Sequence, residues 1–251
     1  MRAILIALAL IIAAAGGYAF KEFAVARDSA APAPTTSVDE QISAFLRNHP
    51  DEVMAALKQA QANAQKQQEA DAQMALEQQQ DQIFNNPADP VVGNPQGDVT
   101  VVEFFDFRCP YCKRVSDSLA ELLKEDSNIR LVYKDFPILG PDSVVAAKIA
   151  LAAHRQGKYA EVHEAFMAHK GSFDEAALLE LAASVGADPA KLKSDMQDPA
   201  IQGQLQANDS LAGALGITGT PGFLFGKQLV PGAVSLDDMK KLVSAARAKA
   251  G

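Results

Sequence analysis

The chain has 251 residues, 48% of them hydrophobic, and carries 23 basic against 31 acidic side chains for a net charge of -8. That is enough apolar material for one sizeable domain plus extra elements, and it excludes the basic stripe of a nucleic-acid surface. With four His and two Cys, a large metal cluster and a multi-disulfide framework are excluded too.

The chain opens on a short positive start, Met1-Arg2, followed by an almost wholly apolar, Ala-rich run from Ala3 to Ala15 that stays uncharged to Phe20. Small residues at Ala19 and at Ala24 and Ala26 offer cleavage sites, so residues 1–26 read as a signal peptide. The alternative is an uncleaved anchor, since the run nearly reaches the length of a membrane span. Either places the rest of the chain outside the cytoplasm, in a periplasm, soluble or tethered, where disulfide chemistry is permitted. Residues 27–36, rich in Ala, Pro, Ser and Thr, read as a disordered tether.

Helical signals begin at Ser37, which with Glu40 forms a capping-box pattern. Ile42, Phe45 and Leu46 line one face, and Pro50 suits the first position of a second helix running to about Phe84. That helix is rich in Ala, Gln, Glu and Lys. Val53, Met54 and Leu57 give it an apolar start, but only Ala60, Ala64, Met74 and Leu76 follow. Residues 37–86 therefore read as a helical arm. It is either a solvated spacer or an oligomerisation region, in which the two apolar faces pack between chains over 37–84.

Asn85 to Gly97, with its Pro, Asn and Gly, marks the boundary to a main domain at 94–251. Val99 to Phe107 reads as a buried strand, Pro110 to about Lys124 as a helix and Ile129 to Phe136 as a second strand, together a βαβ unit. About 141–215 is helical throughout. Phe223–Phe225 and Gln228–Val230 flank a Gly226-Lys227 hairpin turn, and Ser235 with Asp238 caps a last helix. The fold class is α/β with an inserted helical subdomain.

The chemistry lies in Cys109-Pro110-Tyr111-Cys112, where the first strand passes into a helix. A cysteine at a helix N-terminus faces free N–H groups and the positive end of the dipole, which favour its thiolate. Arg108, Lys113 and Arg114 add positive charge. Cys109 is assigned as the attacking thiol. Cys112, one turn on, resolves the mixed disulfide, and Pro110 loses nothing at the first helical position. Half of a zinc site and a structural staple are the alternatives. No second Cys pair completes the former, and so short a loop contributes little to the latter. No metal or organic cofactor is called for. Glu103 places a carboxylate in an apolar strand. Buried there, its pKa rises, and it can relay a proton to or from Cys112. Lys134 on the next strand can pair with it. Pro221, after Thr220 and before a strand, is a candidate cis-proline. His163 shares a helix face with Tyr159 and Phe166 and reads as a packed, satisfied side chain.

Cys109-Pro110-Tyr111-Cys112 after Val101-Val102-Glu103-Phe104-Phe105-Asp106-Phe107, with Thr220-Pro221 near the end, resembles the thioredoxin-like, DsbA-type disulfide oxidoreductases. The resemblance spans roughly Asn94 to Ala248 and implies a thioredoxin-like fold with dithiol–disulfide exchange. In that family Pro221 is a cis-proline beside the cysteines, Thr220 helps set redox behaviour and substrate contact, and Glu103 is the buried acid. Pro110 and Tyr111 tune the couple. Tyr111 replaces the His of the strongest oxidases and removes a cationic neighbour of the thiolate. The arm is similar to that of ScsC-like and Com1-like members, some of which are isomerases with an N-terminal oligomerisation region. The resemblance implies exported thiol or disulfide proteins as substrates, bound as extended peptide near Pro221, and a membrane redox partner. Two other functions are weighed: a copper-handling protein using the two thiolates, and an anchored interaction protein using the arm.

Overall fold

The computed structural model describes residues 37–250, and the signal, anchor and tether expected over 1–36 lie outside them. Among the described residues no helix is long and apolar enough to cross a membrane. The chain divides into two units, one ending at Asn63 and the other beginning at Ala64.

The first unit holds α1 (Val38–Asn48) and the start of α2 (Pro50–Gln78). The capping box forms: Glu40 N–H donates to the Ser37 hydroxyl, and Ser37 N–H donates to the Glu40 carboxylate at 2.9 Å. No residue of α1 is buried, and Ile42, Phe45, Leu46, Met54 and Leu57 are each about half exposed.

The second unit is built on a five-stranded sheet. In chain order its elements are the end of α2, α3 (Gln80–Phe84), β1 (Val91–Gly93), β2 (Val99–Phe105), α4 (Pro110–Glu125) and β3 (Ile129–Asp135). Then come α5 (Pro141–His154), α6 (Tyr159–Ala168), α7 (Glu175–Ser184), α8 (Pro189–Asp195) and α9 (Pro199–Ala214). β4 (Gly222–Phe225), β5 (Gln228–Pro231) and α10 (Leu236–Ala250) close the chain. The strand order is β1-β3-β2-β4-β5, with β2 and β3 parallel and the other pairs antiparallel. Gly226 opens the two-residue turn between β4 and β5 with a φ of 56°, a conformation that costs a glycine little.

Both faces of β2 and β3 are covered, so these strands read as continuous apolar runs. Val99, Val101, Phe105, Leu131 and Tyr133 point to one face, under α4, α10 and the helical block α5–α8. Val102, Phe104 and Val132 point to the other, where Ala75, Leu76, Ile83 and Leu211 meet them. The globular unit thus takes in residues before the Asn94 boundary expected from the sequence. Leu76 and Ile83 are core residues, and β1 is already in the sheet.

The expected pairing of Lys134 with Glu103 does not form. Side chains alternate between faces along a strand, and the register sets Glu103 beside Tyr133 and Phe104 beside Lys134. Lys134 therefore faces away from Glu103. It forms a buried ion pair with Asp89 and donates to the Gln82 carbonyl.

Candidate active site

β2 ends at Phe105, and four residues later Cys109 caps α4 with extended backbone, φ -70° and ψ 119°. Pro110 occupies the first helical turn, where a missing N–H costs nothing. Cys109 Sγ accepts from Cys112 N–H at 3.5 Å and lies 3.3 Å from the Thr220 carbonyl oxygen, to which its thiol donates. The Thr220–Pro221 peptide is cis. Residues 111 positions apart are thus brought to one point. Gly222 follows without a side chain because a Cβ there would stand 2.7 Å from Ile217. A groove of about 230 Å³ lies along this loop, lined by Ile217, Thr220, Pro221, Leu229 and Pro231 among others.

Both cysteines are buried. Cys112 is fully enclosed, and burial first, then the Glu103 charge, pushes its thiol well up. Glu103 lies beneath, on the α4 face of β2, 1% exposed, with Oε1 lacking any hydrogen-bond partner. Burial, reinforced by charge on Cys109, raises its carboxyl to about 8. Tyr133, its cross-strand neighbour, is buried as well.

The nearby cations are spent on bracing. Arg108 donates to the Leu139 carbonyl at 3.0 Å and pairs with Asp142 at 3.6 Å. Lys113 donates to the Phe166 and His169 carbonyls and sits 4.7 Å over the Phe173 ring. Arg114 stacks 4.5 Å from the ring of Tyr111, whose side chain is exposed. His163 packs between Tyr133, at 4.1 Å, and Phe105, at 5.0 Å. Its packing role matches the sequence reading, but Nε2 has no partner, and burial lowers its pKa to about 3, so the ring is neutral.

Sequence reasoning missed Asp106. Its backbone carbonyl accepts from Cys109 N–H at 3.0 Å, and its carboxylate accepts from Arg108 N–H at 2.8 Å and Leu139 N–H at 2.9 Å. An Asp leaving a strand is a turn signal, but nothing local points to Leu139.

A thioredoxin-like sheet with two thiols at the head of a helix, a buried acid below and a cis-proline alongside defines the class of the thiol–disulfide oxidoreductases. The sequence profile of the DSBA-like thioredoxin domain matches residues 100–244, and the chain belongs to that family. Dithiol–disulfide exchange is that family's chemistry. The thiol:disulfide interchange protein DsbA of Bordetella parapertussis is 32% identical over 146 residues, 56% of this chain and 69% of that protein. A thioredoxin-like oxidoreductase structure from Silicibacter pomeroyi is 45% identical, with a TM-score of 0.65 over 67% of this chain and 97% of that one. Proteus mirabilis ScsC in a compact conformation is 25% identical, with a TM-score of 0.64 over 85% of this chain and 98% of that one. Among curated relatives, the chain spans 24% of the length of a Na(+)/H(+) antiporter NhaA 1 of Salinispora arenicola, 32% identical over 160 residues.

Proposed function

We propose that the protein catalyses dithiol–disulfide exchange on exported proteins, with Cys109 as the attacking thiol and Cys112 as the resolving one. The observation that carries this reading is the placement of Cys109 Sγ, at the α4 N-cap and 3.3 Å from the Thr220 carbonyl, with Cys112 and Glu103 stacked inward behind it.

In the reducing direction, Cys109 thiolate attacks a substrate disulfide. One S–S bond breaks, a mixed disulfide forms and a substrate thiolate leaves. Charge on Cys109 is one cause of the raised Glu103 pKa. Once Cys109 is bonded, that charge is gone, and the Glu103 carboxyl becomes easier to ionise. The carboxylate then takes the Cys112 proton, and the Cys112 thiolate attacks Cys109 Sγ. The reduced substrate leaves, and the Cys109–Cys112 disulfide remains. Oxidation of a substrate dithiol runs the same steps backward. The groove along Thr220 and Pro221 accepts the substrate as extended peptide. A membrane redox partner resets the couple. The copper-handling and interaction readings rank behind exchange, which the family membership favours.

Cys112→Ser tests this reading. It is expected to trap a covalent adduct with an exported disulfide protein that reductant releases. No adduct, or one equally formed by Cys109→Ser, overturns it.

The exposed apolar side chains of Ile42, Phe45 and Leu46 on α1 and of Met54 and Leu57 on α2 favour a second step. Exposed apolar faces on two charged helices fit self-association of the arm, which sets several thiols around one misfolded substrate, the arrangement isomerisation calls for. Removing residues 37–63, which leaves the core residues Leu76 and Ile83 in place, is then expected to convert an oligomer to a monomer in sedimentation and to lower the refolding of a scrambled substrate. A full-length monomer at micromolar concentration overturns it.

A further inference from the structure

Cys109 is almost fully buried, but Tyr111, two residues on, and Ile138 and Leu139, the latter bonded to Asp106 and Arg108, are between 39% and 53% exposed. Ile138 and Leu139 belong to the loop between β3 and α5. Such a loop would swing freely if only its ends held it. Instead it is tied at Leu139 on both sides of its peptide framework. Leu139 N–H donates to Asp106 Oδ2, and the Leu139 carbonyl accepts from Arg108. The Asp106 carboxylate is buried, and its other oxygen holds Arg108 N–H. Its backbone carbonyl holds Cys109 N–H, and its backbone N–H is directed at Cys112. One residue therefore contacts the backbone of the attacking cysteine, the resolving cysteine and the exposed loop.

We infer that Asp106 is a positioning residue that fixes the Ile138–Leu139 loop beside Cys109, so that the loop receives an apolar residue flanking a substrate disulfide. The occupant is the extended chain that the Thr220–Pro221 groove accepts and Cys109 attacks. The inference rests on the exchange reading above. With the Leu139 backbone already tied, covering these side chains costs little further ordering of the loop, and covering them removes apolar surface from water. A small disulfide reaches Cys109 without touching them.

The test compares kcat/KM for two disulfides on the full chain: oxidised glutathione, and a short cyclic peptide with Phe and Leu beside its cysteines. Ile138→Ser/Leu139→Ser is expected to lose about tenfold more on the peptide than on glutathione, a difference of about 1.4 kcal/mol. Asp106→Asn, which turns one acceptor into a donor facing an N–H, is expected to show the same selective loss, mostly in KM. Adding Asp106→Asn to the double variant is expected to add little further selectivity, because both act through one loop. Equal losses on both disulfides, or additive ones, overturn the inference, since a merely structural role lowers both alike. Should Asp106→Asn fail to fold, the surface double variant decides alone by the same criterion. A wild-type chain that turns over neither disulfide overturns exchange itself and this inference with it. That result differs from an active wild type whose variants lose equally, which overturns only the role of the loop.

Discussion

Two buried ionisable sites lie one step apart in the β2–β3 register, on opposite faces of the same two strands. On one face Lys134 is fully enclosed and partnered by Asp89 and the Gln82 carbonyl, while Gln204 supports Asp89. On the other face Glu103 is equally enclosed, but one carboxyl oxygen has no partner. A pair like the first can hold distant segments in place. Here it binds the residues after α3 to the sheet. An unpartnered carboxyl oxygen like the second adds no hydrogen bond to the framework, and its burial raises the free energy of the charged form. Its position behind two thiols is where a proton acceptor that is easily made and unmade is useful. Satisfaction of hydrogen bonds therefore separates the structural site from the chemical one, although burial alone does not.

The contrast breaks most sharply at Lys134. Lys134→Met leaves Asp89 buried without its cation, and a change of this kind costs about 3–5 kcal/mol. The expected result is a large drop in the denaturant midpoint with little change in exchange per folded molecule. Burial raises the Asp89 carboxyl despite the lysine, so low pH is expected to soften the defect as Asp89 takes up a proton. A variant that keeps its midpoint but loses exchange would invert the assignment of the two sites.

Much of this site was legible from residue order. The run Val99 to Phe107 reads as a strand, Pro110 as a helix start, and the cysteine spacing places both thiols within one helical turn. Glu103 stood out as a charge among apolar neighbours. What stayed hidden depends on alignment between strands. Whether Lys134 faces Glu103 is a matter of parity, and one residue of register decides it. No local pattern encodes that register. Asp89 is separated from Lys134 by 45 positions, and Leu139 from Asp106 by 33. Leu76 read as the remnant of a polar helix because the surface it covers exists only once β2, β3 and α9 have assembled.

Glu103→Gln sharpens the contrast with a smaller effect of opposite sign. An acid whose pKa is raised in the fold holds a proton there that the unfolded chain has already released. Its contribution to stability is whole below the ordinary carboxylate value of 4.5 and declines as pH rises toward about 8, where the folded group ionises too. Gln carries no such proton. At pH 5 the variant and the wild type should therefore be close, and by pH 7 the variant should be the more stable by about 1–3 kcal/mol. The gain should be greater for the reduced protein than for the Cys109–Cys112 disulfide, because charge on Cys109 is one cause of the shift. The same substitution removes the acceptor for the Cys112 proton, so resolution of a mixed disulfide should slow by about a hundredfold while its formation by Cys109 changes less. Chemical denaturation at pH 5 and pH 7, with single-turnover kinetics beside it, checks both halves. A variant that is destabilised at both pH values would mean that Glu103, like Lys134, has a partner and belongs to the framework rather than to the chemistry.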